Sequence, residues 1–413
     1  MMTGTADFLN DFATMSTHGA TPGGGVDRQA GTDADRSVRR WFHGWLEERG
    51  FTVDYDAIGN QIGRIELVPG APYIVAGSHL DSQPLAGRFD GAYGVLAAGH
   101  AAAAVADAVR AGEAASVFNV AVVNWFNEEG SRFTPSMMGS SVHTGRLELA
   151  DALAKAARDG ATVAEELGAE GRAGSGAFPE TAGYAELHVE QGRSMEEREL
   201  QVGFVTATWG AKKFRVTVTG AQAHTGSTRM EDRQDALYGA ARVIVAAREV
   251  ADRAPYRALH SSVSELDLEP NSPVTLAREV VLNLDLRSPE TSVLEDAEAW
   301  LRETVVRIEE EARVRVDLEL THSWGQLAYP EEGVALARKV AEERGLRGGE
   351  VLTVAGHDST NMKDVVPTVM LFVPSVDGVS HNEAELTSDE DMLAGVDLLT
   401  GVLTRMVEGD LKA

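Results

Sequence analysis

Cysteine is absent from all 413 residues. That single absence removes disulfides, thiolate nucleophiles and cysteine-ligated zinc, so any bound metal must rest on His, Asp or Glu. Positive charge is scarce as well. The chain has 37 Lys and Arg against 64 Asp and Glu, a formal net charge of −27. That balance argues against nucleic acid or an anionic membrane as a partner, since both need a basic surface. No uninterrupted apolar run reaches the roughly 18–20 residues of a transmembrane helix. The most apolar stretch, from Gly91 to Val109, is alanine-rich and reads as a buried helix. The first residues lack a basic region followed by an apolar one, so no secretory signal is expected and a cytoplasmic location is.

What is present suits a globular enzyme of two domains. Hydrophobic residues make up 43% and charged residues 24%, ordinary values for a folded soluble chain, and the length exceeds one ordinary core. The first half alternates strand and helix patterns. Residues 37–50 read as an amphipathic helix, Tyr73–Gly77 and Val117–Phe126 as apolar strands, and the segment after Gly91 as a helix. Tyr184–His188 and Thr368–Val373 read as further strands, with 169–183 a Gly/Ala-rich loop. Strands separated by helices predict a mainly parallel α/β sheet. The stretch 212–322 has another rhythm: a strand at Lys213–Thr219, a helix at Asp232–Ala251, and strands at Ser262–Leu268 and Val280–Leu286. A helix at Ser292–Ala312 and a strand at Val314–Leu320 complete it. This β-α-β-β-α-β order predicts a ferredoxin-like α+β domain, inserted into a catalytic domain formed by 1–211 and 323–413.

Five side chains of metal-binding type follow these strands: His79, Asp90, Glu129, His188 and His381. Ligands of open α/β sheets gather at strand C-terminal ends. A carboxylate such as Asp90 can bridge two cations about 3.5–4 Å apart, the spacing of two-metal hydrolases. Three imidazoles and Glu129 complete two O/N ligand sets suited to zinc, manganese or cobalt. Singly, each residue has an ordinary structural reading; the combination carries the signal. Glu128, beside Glu129, is the spare acid, placed to handle protons for an attacking water, or else half of a solvated acidic turn.

Other candidates are weaker. His224, in Gly220-Ala221-Gln222-Ala223-His224-Thr225-Gly226, could donate to a developing oxyanion or simply be a turn histidine. Arg287 could hold a substrate carboxylate bidentately or form a surface ion pair. Gln191, three residues after His188, could orient substrate. Asp81, in Gly77-Ser78-His79-Leu80-Asp81, and the pair His357-Asp358 are candidates for supporting the ligands from behind.

At these residues the chain resembles the M20-type metallopeptidase superfamily, and within it the N-carbamoyl-L-amino-acid amidohydrolase, β-ureidopropionase and allantoate amidohydrolase group. The matching stretches include GSHLDSQPLAGRFDGAYGVLAA, NEEGSRFTPSMMGS, HVEQG, VTVTGAQAHTGSTRM, AGHDS and FVPSVDGVSHNEAE, between residues 77 and 385. The resemblance implies a metallohydrolase domain with an inserted lid that also forms a homodimer. It implies two divalent ions, zinc first, with manganese, cobalt or nickel as alternatives. One would be held by His79, Asp90 and His188, the other by Asp90, Glu129 and His381. It implies Glu128 as general base, His224 reaching the partner's active site, and Gln191 and Arg287 on a small-molecule substrate.

Several positions depart from the group's pattern. The Asn usual thirteen residues before the arginine is Val274, with Asn271 the nearest replacement for its amide. The Ala-Gly-x-Thr-Pro-Met after the histidine becomes Thr225-Gly226-Ser227-Thr228-Arg229-Met230, and the Ala after His357-Asp358 is Ser359. The expected reaction is cleavage of an N-carbamoyl amino acid to amino acid, ammonia and carbon dioxide. Allantoate, ureidoglycolate or another amide is the alternative substrate. A catalytically silent binding homologue would have lost a ligand or Glu128, and none is missing.

Overall fold

The computed structural model describes residues 5–169, 174 and 176–411. The chain divides into two compact units, Met1–Thr206 with Tyr329–Ala413, and Ala207–Ala328.

In the larger unit four parallel strands form the centre of the sheet, in the order Asn119–Trp125, Tyr73–His79, Thr181–Val189, Thr368–Val373. Their residues are almost wholly buried, which explains why they read as continuous apolar runs and not as alternating ones. Antiparallel strands flank them: Gln61–Ile65 and then Thr52–Tyr55 on one side, Val202–Thr208 on the other.

The helix Ala92–Ala111 is long and apolar enough by composition to cross a membrane, but 67% of that window is buried inside the protein. It is a core helix, and small side chains let it lie close to the sheet. A Cβ on Gly94 would collide with the carbonyl of Leu187. Gly112 ends it in the left-handed conformation, returning its N–H to Ala108 and Val109. Asp389–Glu408 packs against it, and Ser388 caps that second helix through the N–H of Asp391.

The smaller unit is a four-stranded antiparallel sheet in the order Arg315–Trp324, Gly210–Thr219, Glu279–Ser288, His260–Glu269. Helices Ala236–Arg253 and Thr291–Ala312 cover one face. Phe214, Val216, Val218, Val280, Leu282, Leu284 and Leu286 alternate inward beneath them. The β-α-β-β-α-β order is the expected one.

Several boundaries differ from the sequence reading. The unit extends past 212–322 because Gly210 and Trp324 already lie in the ladder. The helix expected from Asp232 starts at Ala236, where Asp235 caps it through the N–H groups of Leu237 and Tyr238, while Met230–Asp232 is a separate 3-10 turn. Arg313, in the left-handed region, separates the long helix from the last strand, which begins at Arg315 and not at Val314. The expected loop 169–183 lies partly outside the described residues, and its last residues, from Thr181, belong to a strand.

Candidate active site

Each central parallel strand of the larger unit delivers part of one cluster. His79 is the last residue of its strand, and His188 the last but one of its own. Glu128 and Glu129 follow Trp125, and His381 follows the strand ending at Val373. Asp90 sits just before Gly91, whose φ of +61° turns the chain into the helix at Ala92. A Cβ on Gly91 would overlap the His79 ring, so this close approach requires glycine.

Asp90 is the hub. Its Oδ1 lies 3.1 Å from His188 Nε2 and 3.5 Å from His79 Nε2, and its Oδ2 lies 3.3 Å from His381 Nε2. His381 Nε2 is 3.5 Å from Glu129 Oε2. Two donor groups result, His79–Asp90–His188 and Asp90–Glu129–His381, each with its ligand atoms within 4.8 Å of one another. His79 Nδ1 is 3.0 Å from the carbonyl of Asp81 and His188 Nδ1 is 2.9 Å from that of Val189. Those carbonyls accept from the two Nδ1 atoms and turn both Nε2 atoms toward Asp90, with His188 Nε2 also accepting the N–H of Gly91 at 3.0 Å.

Buried acids surround these groups. Burial, with Asp90 adding to it, pushes the Glu129 carboxyl up to about 7. Burial also holds Glu128 well above the carboxylate range, against the pull of His79 and with the help of Asp358 and Glu129. Burial opposes a charge on His79, yet Glu128, Asp90 and Asp81 outweigh it and raise its pKa well above the usual value. Such a concentration of buried carboxylates needs cationic compensation. Oxygen and imidazole donors in two sets suit divalent ions, so the residues fit metal binding.

Asp81 supports the acidic turn, accepting the N–H of Glu128 and that of Glu129, each at 3.2 Å. Gln191 donates from Nε2 to Asp90 Oδ2 at 2.7 Å. The His357 ring lies 4.5 Å from that of His188, with Nε2 3.2 Å from the Thr353 hydroxyl. Asp358 is fully buried, and burial followed by Glu186 pushes its pKa well above the usual range.

His224, Asn271 and Arg287 belong to the smaller unit. His224 is exposed and pairs with Thr275 in a short ribbon. Its Nδ1 accepts the N–H groups of Gly226 at 3.0 Å and Ser227 at 3.2 Å. Arg287 pairs with Asp285, from Nη2 at 2.9 Å and from Nε at 3.2 Å. Asn271 is exposed, as is Val274 at 59%.

Sequence reasoning passed over Glu186, Ser380 and Glu385. Glu186 accepts from the Ser78 hydroxyl at 2.9 Å and the Ser359 N–H at 2.7 Å. An acid in the middle of an otherwise apolar strand was its signal. Glu385 accepts the N–H groups of Phe89 at 3.1 Å and Asp90 at 2.9 Å. It stands four residues after His381, with no periodic pattern to mark it.

Paired His/acid donor groups at the C-terminal ends of a parallel sheet define a metallohydrolase. The chain belongs to the peptidase family M20/M25/M40, whose model matches residues 75–405, a metal-dependent family. It is 51% identical over 413 residues to a Mycolicibacterium smegmatis protein described only in general terms, as a hydrolase, covering 98% of this chain and 94% of that one. It is 35% identical over 389 residues to an N-carbamoyl-L-amino-acid amidohydrolase of Rhizobium meliloti, covering 93% and 92%. An allantoate amidohydrolase of Bacillus subtilis is 30% identical over 403 residues, with 95% of each chain covered. Among solved structures, an amidase of the hydantoinase/carbamoylase family from Burkholderia vietnamiensis superposes with a TM-score of 0.90 at 35% identity, over 98% of each chain. The protein is an amidohydrolase of the carbamoylase/allantoate group, acting on linear amide or ureido C–N bonds.

Proposed function

We propose that this amidohydrolase cleaves an N-carbamoyl amino acid. The observation that carries the reading is Glu128. Its carboxylate lies 3.5 Å from His79 Nε2 yet belongs to neither donor group, which leaves it free to move a proton.

Two divalent ions, zinc first and manganese, cobalt or nickel as alternatives, would be held by His79, Asp90 and His188, and by Asp90, Glu129 and His381. When bound, they supply Lewis-acid polarisation and make a nearby water more acidic. Glu128 takes a proton from the water that adds to the ureido carbon and returns it to the departing nitrogen. The C–N bond to the amino acid breaks, and the carbamate left behind decomposes to ammonia and carbon dioxide.

His224 has its Nδ1 occupied as an acceptor of the Gly226 and Ser227 N–H groups, so the neutral ring carries its proton on Nε2. That makes it a donor suited to an oxyanion. We assign it to the neighbouring active site of a homodimer, as His224 of the partner subunit. Arg287 and Gln191, with Asn271, would bind the substrate's carboxylate and ureido groups. The location we assign is the cytoplasm.

A second reading keeps the reaction and changes the substrate to allantoate, ureidoglycolate or another amide. Exposed Val274 next to the His224 ribbon favours it, because an apolar group stands where the group usually offers an amide. Rates on N-carbamoyl amino acids, allantoate, ureidoglycolate and N-acyl amino acids, measured with matched metal loading, test the choice. The highest kcat/KM is expected on a carbamoyl amino acid. A higher value on allantoate or ureidoglycolate would overturn the substrate and leave the reaction class standing.

A further inference from the structure

We infer that Glu385 is a positioning residue that couples the two metal sites. This rests on the two-ion reading above. Asp90 and His381 come from segments almost three hundred positions apart in the chain, and both donor groups depend on Asp90. Glu385 ties those segments together. Its Oε1 accepts the N–H of Phe89 and that of Asp90, fixing the backbone that carries the hub. Its Oε2 accepts from the hydroxyl of Ser380, the residue before His381, at 3.2 Å.

Ser380 closes the circuit. Its Oγ is also 3.3 Å from Asp90 Oδ2 and accepts from Gln191 Nε2 at 3.0 Å. One hydroxyl proton is thus shared between the hub carboxylate and Glu385. The space is made for this acid: a Cβ on Gly87 would run into the Glu385 side chain. Glu385 is buried at 4% exposure, and an unpaired N–H at Asp90 would have no water to turn to. Without Glu385, the Asp90 backbone and the His381 loop lose their common anchor, and both donor groups loosen together.

The test is cobalt(II) titration of the full-length protein stripped of metal, followed by d–d absorption and by competition with a chelator. Wild type is titrated first; binding of fewer than two ions there would defeat the two-ion reading and not this inference. With two ions bound, Glu385→Ala is expected to weaken both by about 10–100-fold, the usual effect of removing a partner that orients ligands. Glu385→Gln, whose amide oxygen can still accept the two N–H groups, should stay within severalfold of wild type. Gly87→Ala keeps the acid but displaces it, and should weaken both ions and alter the cobalt spectrum. It also serves as the informative variant if Glu385→Ala does not fold. Unchanged affinities and spectra in Glu385→Ala and Gly87→Ala, or weakening of one ion alone, would overturn the inference.

Discussion

One oxygen of Asp81 accepts the N–H of Glu128 and the other accepts the N–H of Glu129, so a single carboxylate sets the direction of both acids. Glu129 turns to the His381 group while Glu128 stays beside His79. Asp81→Asn replaces one acceptor by an NH2 that faces an N–H. We expect metal affinity and kcat to fall by about 10–100-fold, with the far-UV circular dichroism unchanged. Chelator competition and steady-state kinetics on the best substrate check this.

Glu128→Gln removes the proposed proton carrier and keeps its shape. The expected loss in kcat is about 10²–10⁴-fold, while the metal content measured by plasma emission stays at the wild-type value. Full activity in the metal-loaded variant would remove Glu128 from the proton transfers.

The partner role proposed for His224 has a test that does not depend on substrate identity. His224→Ala should lower kcat by about 10²–10³-fold, as loss of an oxyanion donor does. Mixing Glu128→Gln with His224→Ala subunits should then restore part of the activity. A hybrid dimer joins an intact Glu128 on one chain with an intact His224 on the other. No recovery after verified subunit exchange would place both residues in the same subunit's site.

His143 provides a pH dependence away from the metal ligands. Its ring lies 3.9 Å from that of Phe178 and 5.6 Å from that of Trp125, and burial lowers its pKa from 6.5 to about 4. Below pH 6.5 the unfolded chain takes up a proton there that the folded chain refuses until about pH 4. Stability is therefore complete above pH 6.5, declines through that window and flattens below it, losing about 3 kcal/mol from this group. Urea unfolding of wild type and His143→Phe at pH 7.5 and pH 4.5 measures it. The variant should lose less stability than wild type between the two.

The central strands were legible because burial on both faces leaves a run of apolar residues, as in Thr368–Val373. The candidate donors were legible in their short local sequences and in their combination, with His79, His188 and Glu129 at or just after strand ends and Asp90 and His381 in the loops beyond. The margins were not: Gln61–Ile65 contains Gln61, Gly63 and Arg64, and its pairing depends on a partner distant in sequence. Glu385 and Ser380 escaped for a related reason. Their work is to accept or donate to backbone and side chains from another segment, and hydrogen bonds of that kind impose no spacing on the sequence. The His224 tautomer was equally hidden, since it follows from the fold of the Gly226–Ser227 turn.

Three non-glycine residues at the site have left-handed backbone: Asn127 at φ +52°, Gln191 at +58° and His381 at +52°. Outside glycine this conformation costs about 1–2 kcal/mol per residue, less for Asn. A campaign that selects only for heat resistance would be drawn to glycine at Gln191 and His381, relieving the backbone and deleting the side chains that face Asp90. Thermostable descendants of this enzyme obtained without an activity screen should therefore accumulate inactive members at these two positions first.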